Sequence, residues 1–350
     1  MRIILSVNRS VIFLGAGASV PLGLPTMVEL SERFEETISS DTRLVQHLLK
    51  AKGAIRRNGF SYDVESLYTY LLGCSDPCAS LKKAGPYVAS KCRTQPISKI
   101  RRSGMSEKIR ERLEEHLIKN CYLGQEYEKR RITNMFNRFF AKISGVNDWE
   151  HSEPDWNGKI FEVFTTNYDN AIELYGSEVG QMPFIGYTKT QKGKVRFVPE
   201  QYDSTPARIK LYKIHGSVEL SLLEDDSIIT AEPPKSPGEK HEGKSIIGKV
   251  MVYGPNKNLI AEPYFELLAH LKKRLTDAHE CFVVGYSFRD PWINQIFRDV
   301  VNRRRQRTRW IEFISPSARY TIYSRLHEIA ANVRPINRSF QQYLNLPEEE

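Results

Sequence analysis

The chain has 350 residues, with 51 Lys and Arg against 42 Asp and Glu, a formal net charge of +9, 40% hydrophobic residues and 27% charged ones. That composition excludes a disordered, collagen-like or low-complexity protein. A chain of this length buries roughly 75% of the surface its unfolded form exposes, so it needs neither disulfides nor a structural metal for stability. No apolar run approaches the roughly 18 to 20 residues of a membrane-spanning helix. The N-terminal stretch MRIILSVNRSVIFLG is interrupted by Arg9 and shows no cleavage-site pattern, so it reads as the start of the fold rather than a signal peptide. The five cysteines, at 74, 78, 92, 121 and 281, do not fall into two close pairs. They give no support to a four-cysteine zinc site and fit reduced, buried thiols. The expectation is a soluble cytoplasmic protein of one large domain or two.

In chain order, Val11–Leu14 is a short apolar run entering the turn Gly15-Ala16-Gly17-Ala18-Ser19, which predicts a buried strand and a tight loop. Thr26-Met27-Val28-Glu29 fits a capping box and predicts a helix start. From 42 to 150 the pattern is helical: Leu113, Leu117, Ile118 and Cys121 recur at helical spacing, as do Ile132, Met135, Phe136, Phe139 and Phe140. Residues 79–150 carry 16 Lys and Arg against 8 Asp and Glu, which is nearly all of the net charge. Further strands are predicted at Ile160–Phe164, Ile209–Ile214, Cys281–Val284 and Trp310–Ile314, the later ones separated by helices over 263–278, 291–305 and 318–332. Short buried strands alternating with helices argue for a parallel, doubly wound sheet. The stretch from Leu223 to Lys249, rich in Pro, Gly and charge, reads as a mobile loop or lid. The fold class is α/β: a Rossmann-like doubly wound parallel sheet built from 1–41 and 151–350, with an inserted, basic helical subdomain over 42–150.

Four of the predicted strands, and the one before Gly15, end in residues able to do chemistry. The glycines at 15 and 17 allow close backbone approach to a pyrophosphate, although Val20 stands where a third glycine would complete the dinucleotide fingerprint, and a ligand-free glycine turn is the competing reading. Asn167 and Asp169 follow the second strand, at the edge of the sheet where ligands of open α/β folds bind; ordinary turn chemistry is the alternative. His215-Gly216-Ser217 ends the third, where a histidine can act as general base or be a satisfied structural group. Gly285-Tyr286-Ser287-Phe288-Arg289-Asp290 and Ser315-Pro316-Ser317 close the last two. The five arginines between 303 and 309 suit a helix C-terminus.

Together these motifs resemble the sirtuin-like NAD-binding superfamily, specifically its bacterial branch associated with defence against phage, over residues 10–41 and 158–320. Gly15-Ala16-Gly17-Ala18-Ser19 with Gly23-Leu24-Pro25 matches the first family motif, Thr166-Asn167-Tyr168-Asp169 the second and His215-Gly216 the third. The resemblance implies NAD as substrate and no metal. It implies that Gly15, Ala16, Gly17, Ala18 and Ser19 hold the pyrophosphate, and that Pro25, Thr26 and Thr166 also line the NAD site. Gly285, Ser287 and Ser315 are implied to contact the adenosine half. Asn167 is implied to contact the nicotinamide ribose, Asp169 the nicotinamide carboxamide, and His215 to act as base on a ribose hydroxyl or the attacking water. Loss of nicotinamide builds positive charge on the ribose, a reaction that needs positioning, a dry pocket and a nearby base.

The departures are as informative. Family members that deacylate proteins carry two zinc-binding cysteine pairs and an aromatic-Arg pair after the Gly-Ile-Pro segment; here the cysteines are spaced otherwise and Thr26-Met27 follows Pro25. No peptide-binding strand is evident after His215-Gly216. The reading is therefore an NAD+ glycohydrolase that yields nicotinamide and ADP-ribose and depletes cellular NAD in anti-phage defence. Two alternatives stand beside it: an NAD-dependent protein deacylase, and a non-catalytic nucleotide- or nucleic-acid-binding subunit of a defence complex. Constant NAD destruction is intolerable to a cell, so gating is expected, through a homo-oligomer, a partner ATPase of HerA type or a phage-derived activator. Nucleic acid is a further candidate partner through the basic insert; a membrane is not.

Overall fold

The structure, a computed structural model, describes residues 9–75, 104–146, 158–190, 194–251, 263–304, 310–326 and 333–346. Six strands form a parallel sheet: β1 (Arg9–Leu14), β2 (Ile160–Thr165), β5 (Ile209–Lys213), β10 (Glu280–Val284), β11 (Trp310–Ser315) and β12 (Val333–Asn337), in the order β12-β11-β10-β1-β2-β5. The chain winds from β1 outward through β2 to β5, then returns to β10 on the other side of β1 and winds outward again to β12. The reversal falls between β1 and β10, and in open α/β sheets ligands bind at the C-terminal ends of the strands at such a point. This is the α/β, Rossmann-like arrangement expected.

The sheet is buried on both faces, which is why β1 is a continuous apolar run rather than an alternating one. Val11 and Phe13 join one core with Phe164, Tyr212, Val283 and Phe297. Ile12 and Leu14 point the other way and join Phe139, Phe140, Phe161 and Phe282. Edge strand β12 escaped the sequence reading, because Val-Arg-Pro-Ile-Asn carries a proline and little apolar surface. The helix expected over 318–332 is described only as Ala318–Leu326.

Helix α1 (Met27–Ile38) begins with the predicted capping box: the Glu29 amide donates to Thr26 Oγ1 at 3.4 Å and the Thr26 amide donates to Glu29 Oε2 at 2.7 Å. Two single-turn 3-10 helices, Ala16–Ala18 and Val20–Leu22, separate it from the glycines. The chain continues through α2 (Thr42–Arg57), α3 (Val64–Ser75), α4 (Met105–Cys121) and α5 (Glu126–Ser144). Packing divides these helices in its own way. Phe34 of α1, Leu48 of α2, Leu67 and Leu71 of α3 and Leu113 of α4 share one core. Helix α5 instead lays Phe136, Phe139 and Phe140 on the parallel sheet, with the Phe140 ring 4.6 Å from Phe161 and 5.4 Å from Tyr175.

A second sheet, antiparallel, was not expected. It comprises β3 (Tyr187–Lys189), β4 (Lys194–Phe197), β6 (Gly216–Leu223), β7 (Ile228–Thr230), β8 (Lys240–His241) and β9 (Lys244–Met251), in the order β3-β4-β7-β6-β9-β8. One expectation is corrected by it. The stretch from Leu223 to Lys249 is not a loop or lid: it holds β7, β8 and most of β9, with Leu223, Ile229 and Ile246 forming a small core. Its strands of two and three residues leave turn residues to dominate the composition. Strand β6 begins at Gly216, directly after His215. The remaining helices are α6 (Ala171–Glu178), α7 (Gln201–Ser204), α8 (Tyr264–Asp277), α9 (Pro291–Arg304), α10 (Ala318–Leu326) and α11 (Phe340–Tyr343). Among the described residues no helix is long and apolar enough to cross a membrane. Cys78, Cys92, much of the basic stretch of the insert and, past the last turn of α9, the arginine run lie outside the described residues; Cys74 and Cys281 are buried and Cys121 is partly buried.

Candidate functional site

The loops after β1, β2, β5 and β10 meet at the C-terminal edge of the parallel sheet. The glycine loop is stitched to its neighbours on both sides. The Gly15 amide donates to Val284 O at 2.9 Å, Gly17 to Gly285 O at 3.0 Å, and Thr166 to Leu14 O at 3.2 Å. A Cβ on Gly15 would sit 2.6 Å from Tyr286 Cα, and one on Gly285, whose φ is +61°, would sit 2.4 Å from the Ala18 nitrogen. Chain-on-chain contact therefore already requires glycine at both positions, a demand separate from the pyrophosphate approach inferred from the sequence. Ala16 and Gly17 remain half-buried, while Ala18 and Ser19 are buried.

Three predicted side chains are brought into one network. Asn167 Nδ2 donates to Gly15 O at 3.0 Å and to Ser19 Oγ at 2.9 Å, and Ser19 Oγ donates to Asp169 Oδ2 at 2.8 Å. Gly15 O can only accept, so the network fixes the orientation of the amide. Both Nδ2 hydrogens are committed, which makes Oδ1 the group Asn167 can offer to a ligand. Asp169 is fixed in turn by the Ala171 amide, which donates to Oδ1 at 3.2 Å.

Beneath this loop Lys213 donates to the Asp169 carbonyl and, at 2.9 Å, to Glu173 Oε1. Burial works against the Lys213 ammonium, but Glu173, Asp169 and Glu219 outweigh it and raise its pKa. Burial, reinforced by the charge of Glu173, pushes the Glu219 carboxyl up to about 8. Burial, with Asp169 nearby, pushes the Cys121 thiol up to about 12, so it is an inert thiol near neutral pH.

His215 lies at the junction of the two sheets, between β5 and β6, and is 4% exposed. Gly216 makes the turn with φ +87°, and a Cβ there would sit 2.0 Å from Val250 O, so the glycine serves the passage of β9. His215 Nε2 is 3.3 Å from Asp290 Oδ2. Asp290 Oδ1 accepts the amides of Trp292 at 3.0 Å and Ile293 at 3.2 Å, at the start of α9.

The other predicted residues are more peripheral. Thr26 caps α1, Pro25 and Thr166 are half-buried, Ser287 is exposed, and Ser315 Oγ accepts the Ser317 amide at 3.4 Å. Sequence reasoning missed Asp290, whose available signal was an acidic residue preceding Pro291 at a helix start. It also missed Glu65 of α3, which accepts the Tyr168 hydroxyl at 2.8 Å and brings the helical region to the site loop. Nothing in the sequence links Glu65 to the loop 103 residues away. Among the described residues no group of three or more His, Cys, Asp or Glu could hold a metal ion.

A family model described as a SIR2-like domain matches residues 162–336, half of the chain. The chain belongs to the SIR2-like family. The match opens within β2 and closes within β12, so it takes in Asn167, Asp169, His215, Gly285 and Ser315 of this SIR2-like protein and leaves the glycine loop outside. The family places it in the sirtuin-like NAD-binding superfamily, as the motif resemblance implied. Among solved structures it is similar to a Sir2 homologue–NAD complex, at 13% identity over 97% of this chain and 88% of that one, with a TM-score of 0.43. It is also similar to a mutant Sir2 homologue in complex with ADP ribose, at 13% identity over 97% and 90%, with a TM-score of 0.45. No curated protein matches the chain.

Proposed function

We propose that this SIR2-like protein is an NAD+ hydrolase that releases nicotinamide and ADP-ribose. The observation that carries the reading is the locked amide of Asn167, fixed by Gly15 and Ser19 at the C-terminal ends of β1 and β2. In the reaction the C–N glycosidic bond breaks, nicotinamide leaves with the electron pair, and positive charge grows on the anomeric carbon. Water then adds to that carbon and gives up a proton. Asn167 Oδ1 suits a ribose hydroxyl or the attacking water, and His215 the role of proton acceptor. Ser19 keeps Asn167 and Asp169 in register. Asp169 is assigned to the nicotinamide carboxamide; Gly15, Ala16, Gly17, Ala18 and Ser19 to the pyrophosphate; Gly285, Ser287 and Ser315 to the adenosine half.

Water is favoured over an acyl-lysine as acceptor. Strand β6, which follows His215, pairs with β9 on one side and, over Leu220–Leu222, with β7 on the other, so the chain's own strands take up part of the edge a peptide would use. The proposal includes a role in anti-phage defence and gating by self-assembly, a partner ATPase of HerA type or a phage-derived activator. The basic helical stretch over 42–150 is the proposed surface for a partner, nucleic acid included.

The test is nicotinamide and ADP-ribose release from NAD+ over a protein concentration series. Asn167→Ala and His215→Ala are each expected to lower release by about 10²–10⁴-fold, the range a positioned catalytic group contributes. Calorimetry showing no NAD+ binding to the intact protein would overturn the reading.

A further inference from the structure

The loop Gly285–Asp290 adopts an unfavourable backbone to deliver one side chain. Gly285 and Phe288 both have φ in the left-handed region, +61° and +51°, a conformation that is strained for a bulky residue. The strain is offset by anchoring on several sides. The Phe288 ring is buried against Tyr286, Phe297 and Phe313, and its carbonyl accepts Asn294 Nδ2 at 2.7 Å. The turn ends on Asp290, whose two oxygens have different partners. Oδ1 accepts the Trp292 and Ile293 amides, which leaves Oδ2 aimed at His215 Nε2, 3.3 Å away.

Capping α9 needs only a neutral oxygen, which Asn or Ser supplies equally well. A carboxylate 8% exposed against an imidazole 4% exposed is costly to bury unless the two are paired. A pair through Oδ2 requires the proton on Nε2, which makes Nδ1 the nitrogen that takes one up. Titratable and charged groups that face this corner include the Tyr286 hydroxyl on the same loop and Glu65 on α3, with the Tyr168 hydroxyl on Glu65. Lys213 on β5, two residues before His215, is committed to Glu173.

We propose that Asp290 is a positioning residue for His215: it holds the imidazole in the tautomer protonated on Nε2 and stabilises the imidazolium formed when Nδ1 accepts a proton. The proposal rests on the reading of His215 as the base of the hydrolase.

The test compares wild type with Asp290→Asn and Asp290→Ser, both of which keep a capping oxygen for α9. The first readout is the NMR titration of His215, assigned among the eight histidines with a His215→Gln variant, and it does not depend on turnover. The imidazole is expected to titrate at least about one pH unit lower in either variant than in wild type, the shift expected when an adjacent opposite charge is lost. The second is nicotinamide release, where kcat should fall by about 10–100-fold with KM for NAD+ unchanged, since only part of the general-base contribution is lost. The acidic limb of the pH–rate profile should move to lower pH. Folded variants in which His215 titrates as in wild type would overturn the proposal. A shifted titration in a protein that neither binds nor cleaves NAD+ would leave the pairing intact and remove the hydrolase reading instead.

Discussion

Glu219 shows how far a single side chain can depart from its sequence character. It is 8% exposed on β6, with Lys213 of β5, Glu173 of α6, Asn170 and Glu232 around it, and its carboxyl is pushed up to about 8 by burial and by Glu173. A carboxyl with a raised folded pKa contributes stability that is present below its unfolded value, about 4.5, and is lost as pH rises through 8. Glu219→Gln removes that titration. Its melting temperature is expected to match wild type near pH 4 and to exceed it at pH 8–9; a constant difference across that window would contradict the assignment. At this scale the sequence made the motif residues legible, because Asn167, Asp169 and His215 directly follow apolar strands. Asp290 and Glu65 were not legible, since their partners lie 75 and 103 residues away and are met only on folding.

Among the elements, strands β1, β2, β5, β10 and β11 were readable as short apolar runs, a consequence of burial on both faces of a parallel sheet. Strand β6 was not. Its Ser217, Glu219 and Ser221 are as buried as Val218 and Leu220, so neither alternation nor a continuous apolar run marks it. Its first residue makes the turn that joins the two sheets. Gly216→Ala would place a Cβ 2.0 Å from Val250 O in a backbone conformation with φ +87°. The variant is expected to lose several kcal/mol, at or beyond the upper end of single-residue effects. Denaturant unfolding would measure this, and a loss below about 1 kcal/mol would mean that β9 moves aside freely.

For the molecule as a whole, the helical core of α1–α4 is joined to the antiparallel sheet through a buried charged cluster. Glu114 of α4 is fully buried, accepts the Tyr68 hydroxyl and is 3.3 Å from Arg110 Nη1. Lys249 of β9 donates to Ser221 Oγ at 2.8 Å, and burial lowers its pKa to about 8 although Glu114 opposes the shift. Glu114→Ala would leave Arg110 and Lys249 without their buried counter-charge, at a cost of about 3–5 kcal/mol. Amide exchange in β9 should accelerate along with the loss. Unchanged melting and exchange would mean that apolar packing alone joins the two parts.

The sequence by itself determined the α/β class, most strands of the parallel sheet, the capping box of α1 and the strand-end motifs, because each is local: a run of neighbours, a four-residue box, a residue after a strand. It also carried the family resemblance, since motif order survives without knowledge of contacts. The antiparallel sheet, the allegiance of α1 and α5 to different cores, the fixed amide of Asn167 and the His215–Asp290 contact were decided by tertiary structure alone. Each depends on which distant segments meet, and burial then gives polar residues such as Glu219, Glu114 and Asp290 properties that their place in the chain does not encode.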